Sequence, residues 1–212
     1  STLFPYTTLF RSSYDEGIYT NFAITGKDAA GKDLTFDTGL QAALAGKEIV
    51  IDKTAPEITL TSVKEGEQED QKDNNVAFGK NSLTYTFSVN ENVDETHNVT
   101  IKYLVSKTTI DTSNPDGSSW DDASGQTSFS VAADKDGYVY IYAADTHGNA
   151  RAIGGKALVV EDNAPTLTLT KLQPELKFNN TIQFTASDSA TPVSGLQKIT
   201  YTLTGKNGNE IA

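Results

Sequence analysis

Residues 136–170 read DGYVYIYAADTHGNARAIGGKALVVEDNAPTLTLT. Tyr138 to Ala143 alternate aromatic and aliphatic side chains with the period of two that marks a β-strand. Asp145-Thr146-His147-Gly148-Asn149 follows as a tight turn, in which Asp bonds its own backbone and Gly supplies positive φ. A second strand leads to Asp162-Asn163-Ala164-Pro165, after which Thr166 to Thr170 alternate again. The run closes one β unit and opens the next. Both sides of its first strand are apolar, so burial is read from a weaker copy upstream, between Glu16 and Ser62. Placing Asp28 against Asp145 aligns Phe22 with Val139 and Ile24 with Ile141, while polar Asn21 and Thr25 fall opposite Tyr138 and Tyr142. Val139, Ile141 and Ala143 are therefore expected in the core, and Tyr138, Tyr140 and Tyr142 on the outer face.

The junction recurs. Thr54-Ala55-Pro56 precedes an alternating Ile58, Leu60 and Ser62, and Ala164-Pro165 precedes the same pattern further along the chain. Proline fixes its own φ and keeps its predecessor extended, so each junction is a stiff handover. The period from Pro56 to Pro165 is too long for a solenoid repeat and suits a sandwich domain. Leu83, Tyr85, Phe87 and Val89 share one face of a strand, and residues 99–105 and 127–131 form further strands. Thr181–Thr185 and Lys198–Leu203 parallel Thr84–Ser88 and the strand that begins at Thr100.

The expected fold class is all-β: tandem Ig-like β-sandwich domains, one complete and two truncated. Residues 13–53 are read as the C-terminal part of a first domain, 54–163 as the complete one and 164–212 as the N-terminal part of a third. The first part has too few strands to finish a sheet and is expected to pack poorly. It should hold a strand with Ile18, Phe22 and Ile24 on one side, a turn at 28–31, a helical turn within 37–45 and a closing strand at 47–52. Residues 1–12, STLFPYTTLFRS, resemble the in-frame translation of a short-read sequencing adapter and are set aside from fold reasoning. The natural N-terminus is then expected to lie elsewhere, and the third domain to continue past Ala212.

Composition narrows the function classes. The net charge of −11 repels phosphate backbones, and no Lys/Arg cluster offsets it, which argues against nucleic acid as a partner. No run of apolar residues is long enough to span a membrane. The absence of Cys removes disulfides, thiolate metal sites and cysteine nucleophiles together. With no Met either, and much Thr, Asn, Asp and Gly, the composition suggests an exported bacterial surface protein.

The series DGYVYIYAADTHGNA … ALVVEDNAP resembles the closing half of bacterial immunoglobulin-like repeats, with their Gly-Tyr start, Asp-x-x-Gly-Asn turn and Ala-Pro boundary. Gly195 to Gly205, GLQKITYTLTG, is similar to the middle strand of such repeats. The resemblance implies strings of modules on cell-surface or secreted proteins, acting as stalks, spacers or adhesive segments. The first unit departs from it, because Asp28-Ala29-Ala30-Gly31-Lys32 lacks the final Asn.

Catalytic motifs are missing. There are two histidines, His97 and His147, and no G-x-S-x-G, P-loop or H-E-x-x-H pattern, so the chain is not expected to be an enzyme, and no catalytic or cofactor residues are assigned. His147 reads as a surface turn residue. Glu161 to Pro165 is similar to the calcium-binding linker of cadherin repeats, and Asp145 would add an oxygen ligand there. The early acidic triplet of those repeats is absent, and Lys53 places a cation at the matching position of the first junction. No metal is therefore assigned, and Asp162 is expected to form an Asx turn. Trp120, the only Trp, follows the turn signal Asn114-Pro115-Asp116-Gly117. It is either an exposed platform for a sugar or peptide, or folded back over the end of the sandwich, the reading preferred. The acidic run Glu65–Asp73 reads as an exposed loop. A buried Lys–Asn isopeptide bond has no marker in the sequence.

The leading functional expectation is a non-catalytic structural, spacer or adhesive module, extracellular or at the cell surface. The alternatives are a glycan- or protein-binding module using Trp120 and the tyrosine ridge, an accessory domain of a secreted polysaccharide-degrading enzyme, and a calcium-rigidified cadherin-like repeat.

Overall fold

A computed structural model describes residues 13–20, 26–33, 35, 42–43, 45–93, 99–113, 119–171, 182–189 and 191–209. The adapter-like segment, Phe22 and Ile24, most of the expected helical turn, His97 and the 114–117 turn lie outside these residues. Among the described residues the strands are β1 Gly17–Tyr19, β2 Ile49–Ile51, β3 Glu57–Lys64, β4 Val76–Gly79, β5 Ser82–Asn90 and β6 Thr100–Ser106. They continue with β7 Asp121–Asp122, β8 Ser128–Ala132, β9 Lys135–Ala144, β10 Ala150–Val160, β11 Thr166–Lys171 and β12 Gln183–Ser187. The fold is all-β. Among the described residues, no helix is long and apolar enough to cross a membrane.

The centre of the chain is two sheets over one core. One has the order β3-β5-β8, and the other β4-β10-β9-β6-β7. Strict alternation in β5 turns Leu83, Tyr85 and Phe87 inward, and Val89 packs at the margin. Phe129 and Val131 of β8 and Leu158 and Val160 of β10 close the same core. Val139, Ile141 and Ala143 of β9 are buried in it, as the alignment with the upstream copy predicts. Phe129 sits between two aromatic partners, stacked at 5.3 Å on Tyr85 and at 4.1 Å on Tyr103 from the opposite sheet.

Several expectations need correction. Ser62 does not continue the inward face of β3. A bulge between Leu60 and Ser62 shifts the register and brings Val63 to full burial instead. Tyr140 lies on the outer face as expected but is 2% exposed, because the chain after β6 folds over it. Its hydroxyl accepts a hydrogen bond from Ile110 N at 3.1 Å. Its ring lies over the bulge at Gly154 and Gly155, where a Cβ on Gly154 would fall 2.2 Å from the Val139 carbonyl. β4, which no pattern in its four residues announced, adds parallel to β10 in the register Ala157↔Val76 to Val160↔Gly79.

The acidic 65–73 run is exposed for the most part yet does more than face solvent. Glu65 accepts hydrogen bonds from Lys80 N at 2.6 Å and Asn81 N at 2.8 Å. Asp70 accepts from Val63 N at 2.8 Å and Lys72 N at 3.0 Å. Gln71 brackets the backbone of Phe78. Polar side chains here take the place of ladder partners at the sheet's edge.

The flanking segments each hold a two-stranded sheet. β1 pairs antiparallel with β2, with Ile18 and Ile49 exposed, in line with the poor packing expected. The turn at Asp28 forms as read: its Oδ1 accepts from Ala30 N and Lys32 N. β11 pairs antiparallel with β12 and repeats β3–β5 closely. Thr166 faces Ser187 as Glu57 faces Asn90, and the bulge between Leu169 and Lys171 takes the place of that between Leu60 and Ser62. The strand expected at Lys198–Leu203 is not formed. It has no ladder partner among the described residues, and Ile199, Tyr201 and Leu203 are exposed. β6, its counterpart, is a strand because β9 and β7 flank it.

Candidate metal-binding junction

Beyond β2 the chain passes through Asp52 and the Lys53–Pro56 linker into β3. Here it meets the β9–β10 turn, residues 145–149. That turn is rigid for local reasons. Asp145 Oδ1 accepts from His147 N at 2.7 Å and Asn149 N at 2.9 Å, and its Oδ2 accepts from the Asn149 amide at 2.8 Å. Asp145 N donates to Asn149 O at 3.1 Å, and Gly148 takes the left-handed conformation that closes the loop. Burial raises the Asp145 pKa, but the donors from Asn149, His147 and Gly148 outweigh it and hold the carboxyl below its ordinary value. The group stays an anion aimed at a fixed point.

Asp52 comes from the other side of the junction. Its side chain is 0% exposed. Oδ1 accepts from Thr54 N at 3.2 Å, an Asx-type contact that bends the linker. Oδ2 is buried without a hydrogen-bond partner. His147 Nδ1 lies 3.3 Å from it, an ion pair when the imidazole is protonated though outside hydrogen-bond geometry, and the imidazole is 31% exposed. One ligand atom from each of Asp52, Asp145 and His147 lies within 4.8 Å of the others.

This placement corrects the sequence reading of the calcium question. Asp145 is not near Glu161–Pro165. β9 and β10 run antiparallel, so their turn sits at one end of the domain and the end of β10 at the other. Asp162 and Asn163 are exposed. Buried Glu161 is occupied in holding the next segment: its Oε2 accepts from Ser194 N at 3.1 Å, and its N donates to Gly79 O at 3.1 Å. Lys53, expected to spoil the first junction, turns its ammonium to the Tyr14 carbonyl. Glu16 then fastens the linker by accepting from Lys53 N at 2.7 Å and Thr54 Oγ1 at 2.6 Å.

Trp120 meets neither expectation fully. It is half-buried and outside the core cluster, with its ring 5.7 Å from Tyr142 and tilted by 49°. Tyr142 projects from the outer face of the five-stranded sheet, where it pairs across the ladder with Lys102.

Sequence reasoning missed Asp52 and gave His147 no role. One signal was available: Asp52 occupies the position before the first Ala-Pro junction that Glu161 holds before the second, so an acidic residue stands at the same place in both. No protein-family model matches this chain, and no curated protein matches it.

Proposed function

We propose that the chain is a non-catalytic spacer or adhesive module from a tandem array of Ig-like sandwiches on a bacterial surface or secreted protein. The observation that carries this reading is the repeated ladder. β11–β12 reproduces β3–β5, including the bulge, at the spacing of the two Ala-Pro junctions. The strand order supports it: β3-β5-β8 facing β10-β9-β6-β7 corresponds to the A-B-E and G-F-C-C′ sheets of Ig-like sandwiches. The mechanism is mechanical. Tension enters through Pro56 at β3 and leaves after Val160; once it is passed on to β4, the parallel pair β4–β10 is pulled in opposite directions and its bonds share the load in shear. A module of this kind holds a distal domain, adhesive or polysaccharide-degrading, away from the cell envelope.

A second reading is favoured by the Trp120–Tyr142 pair, which presents aromatic surface beside Asp121 on the outer face. Such a surface suits a glycan or protein partner. Because Trp120 is the only Trp, its fluorescence separates the two readings. Titration with a panel of neutral and acidic oligosaccharides should leave it unchanged if the module is a spacer. A saturable change that disappears in Tyr142→Ala would replace the spacer reading with the binding one.

A further inference from the structure

We propose that Asp52, Asp145 and His147 form a site for a divalent transition metal of the zinc class, which clasps the tail of the first unit to the central sandwich. Two observations converge on it. The three side chains reach a common point from two elements far apart in sequence, with their ligand atoms within 4.8 Å of one another. Beside this, the wholly buried Asp52 side chain turns toward His147 Nδ1, at 3.3 Å, an oxygen that has no hydrogen bond. A buried carboxylate oxygen without a hydrogen bond is costly, and a metal ion shared with His147 would offset the cost.

The donor set selects the metal. Two carboxylate oxygens and one imidazole nitrogen suit zinc and its neighbours, whereas calcium takes six to eight oxygens and seldom a nitrogen. One pair of ligand atoms already stands at the spacing zinc asks, and all three lie within 4.8 Å of one another. Ligands at about 2.0–2.2 Å from a tetrahedral ion stand about 3.4 Å apart, and His147 Nδ1 already lies 3.3 Å from Asp52 Oδ2. The Asp145 carboxylate is oriented by Asn149 and by the turn's own backbone, an outer layer of hydrogen bonds of the kind that fixes ligands in metal sites. With three protein ligands, the fourth position falls to water. The clasp would restrain the hinge at Lys53–Pro56, a consequence that rests on the spacer reading; metal binding itself does not.

The test uses the full 212-residue chain, stripped with chelator and titrated with zinc chloride and, separately, calcium chloride by calorimetry. The expected result is one zinc per chain, with affinity lowered at least about tenfold in Asp52→Asn and in His147→Ala. His147 gives its hydrogen bond to Asp145 from the backbone N, so His147→Ala keeps that bond. Imidazole nitrogen NMR on the unaltered chain gives a readout free of folding artefacts, because only two histidines contribute. Zinc should shift the Nδ1 resonance of His147 and leave His97 alone. Absence of zinc binding at 100-fold excess, binding undiminished in both variants, or calcium binding as tightly as zinc would each overturn the proposal. The spacer reading would survive all three, since it depends on the central domain's resistance to force.

Discussion

The side-chain amide of Gln71 donates to the carbonyl of Phe78 at 2.8 Å and accepts from its N–H at 2.9 Å. One side chain thus occupies the place of a neighbouring strand on the free edge of β4. An exposed edge is otherwise open to pairing with another chain, and this contact blunts it. Gln71→Ala should destabilise the central domain by about 1–2 kcal/mol, the worth of two ordinary hydrogen bonds. Gln71→Glu keeps the acceptor and loses the donor, so it should cost at least as much. Urea denaturation of the three proteins checks the order.

Gly154 is the position where a side chain has no room. A Cβ there would lie 2.2 Å from the Val139 carbonyl oxygen and 2.7 Å from Tyr140 Cα, on a backbone with φ of 135°. Gly154→Ala should therefore cost more than about 3 kcal/mol and uncover Tyr140. Gly125 is the control, with φ of 74° and open space around it, and Gly125→Ala should cost only about 1 kcal/mol. Equal losses in the two variants would show that the bulge is not a close-packed point.

Tyr85 is buried in the core, and its hydroxyl has no hydrogen-bond partner. Burial raises its pKa well above the ordinary tyrosine range. Replacing an unsatisfied buried hydroxyl with hydrogen relieves a desolvation cost, so Tyr85→Phe should leave stability unchanged or raise it by about 1 kcal/mol. Phe129→Ala, which removes the ring between Tyr85 and Tyr103, should cost about 3–5 kcal/mol. Thermal melts distinguish a gain from a loss.

Acid should loosen the 65–73 segment before the core. The Val63 N–H is the main cause that lowers the Asp70 pKa; burial opposes it, and Lys72 and Lys64 assist. At Glu65 burial raises the pKa, but the donors from Lys80, Asn81 and Ser82 lower it further. A carboxylate depressed in the folded state contributes stability that is full above its unfolded pKa of about 4 and is lost as pH falls through the folded value. Stability should be flat from neutral pH to about 5 and then decline. Asp70→Asn should shallow that decline, as followed by denaturant midpoints across the range. An unchanged slope would deny Asp70 its linkage.

The parts of the fold legible in sequence were those whose apolar period agreed with their packing. β5 reads correctly because Leu83, Tyr85 and Phe87 alternate without interruption, and β9 because the upstream copy broke the tie between its two apolar faces. β3 misled at Ser62 because a bulge changes the period and leaves no mark in residue type. β4 is short and borrows its ladder from β10, a partner at the far end of the domain's sequence. Lys198–Leu203 has the pattern of a strand and lacks, among the described residues, the ladder neighbours that make one. The junction site was illegible for a related reason. Asp145 was assigned to the linker that follows it in sequence, whereas antiparallel pairing of β9 with β10 carries it to the linker before.

Stretching single molecules of the 212-residue chain from its two ends tests the spacer account most directly. The account predicts one dominant rupture that releases about 35 nm, the length of the sandwich at roughly 3.3–3.6 Å per residue less its folded span. The two-stranded sheets β1–β2 and β11–β12 should yield first, at much lower force, because their large apolar side chains among the described residues, such as Ile18, Ile49, Leu167 and Phe184, are exposed. A central domain that unravels in several small steps, or at forces no higher than the two-stranded sheets, would contradict it.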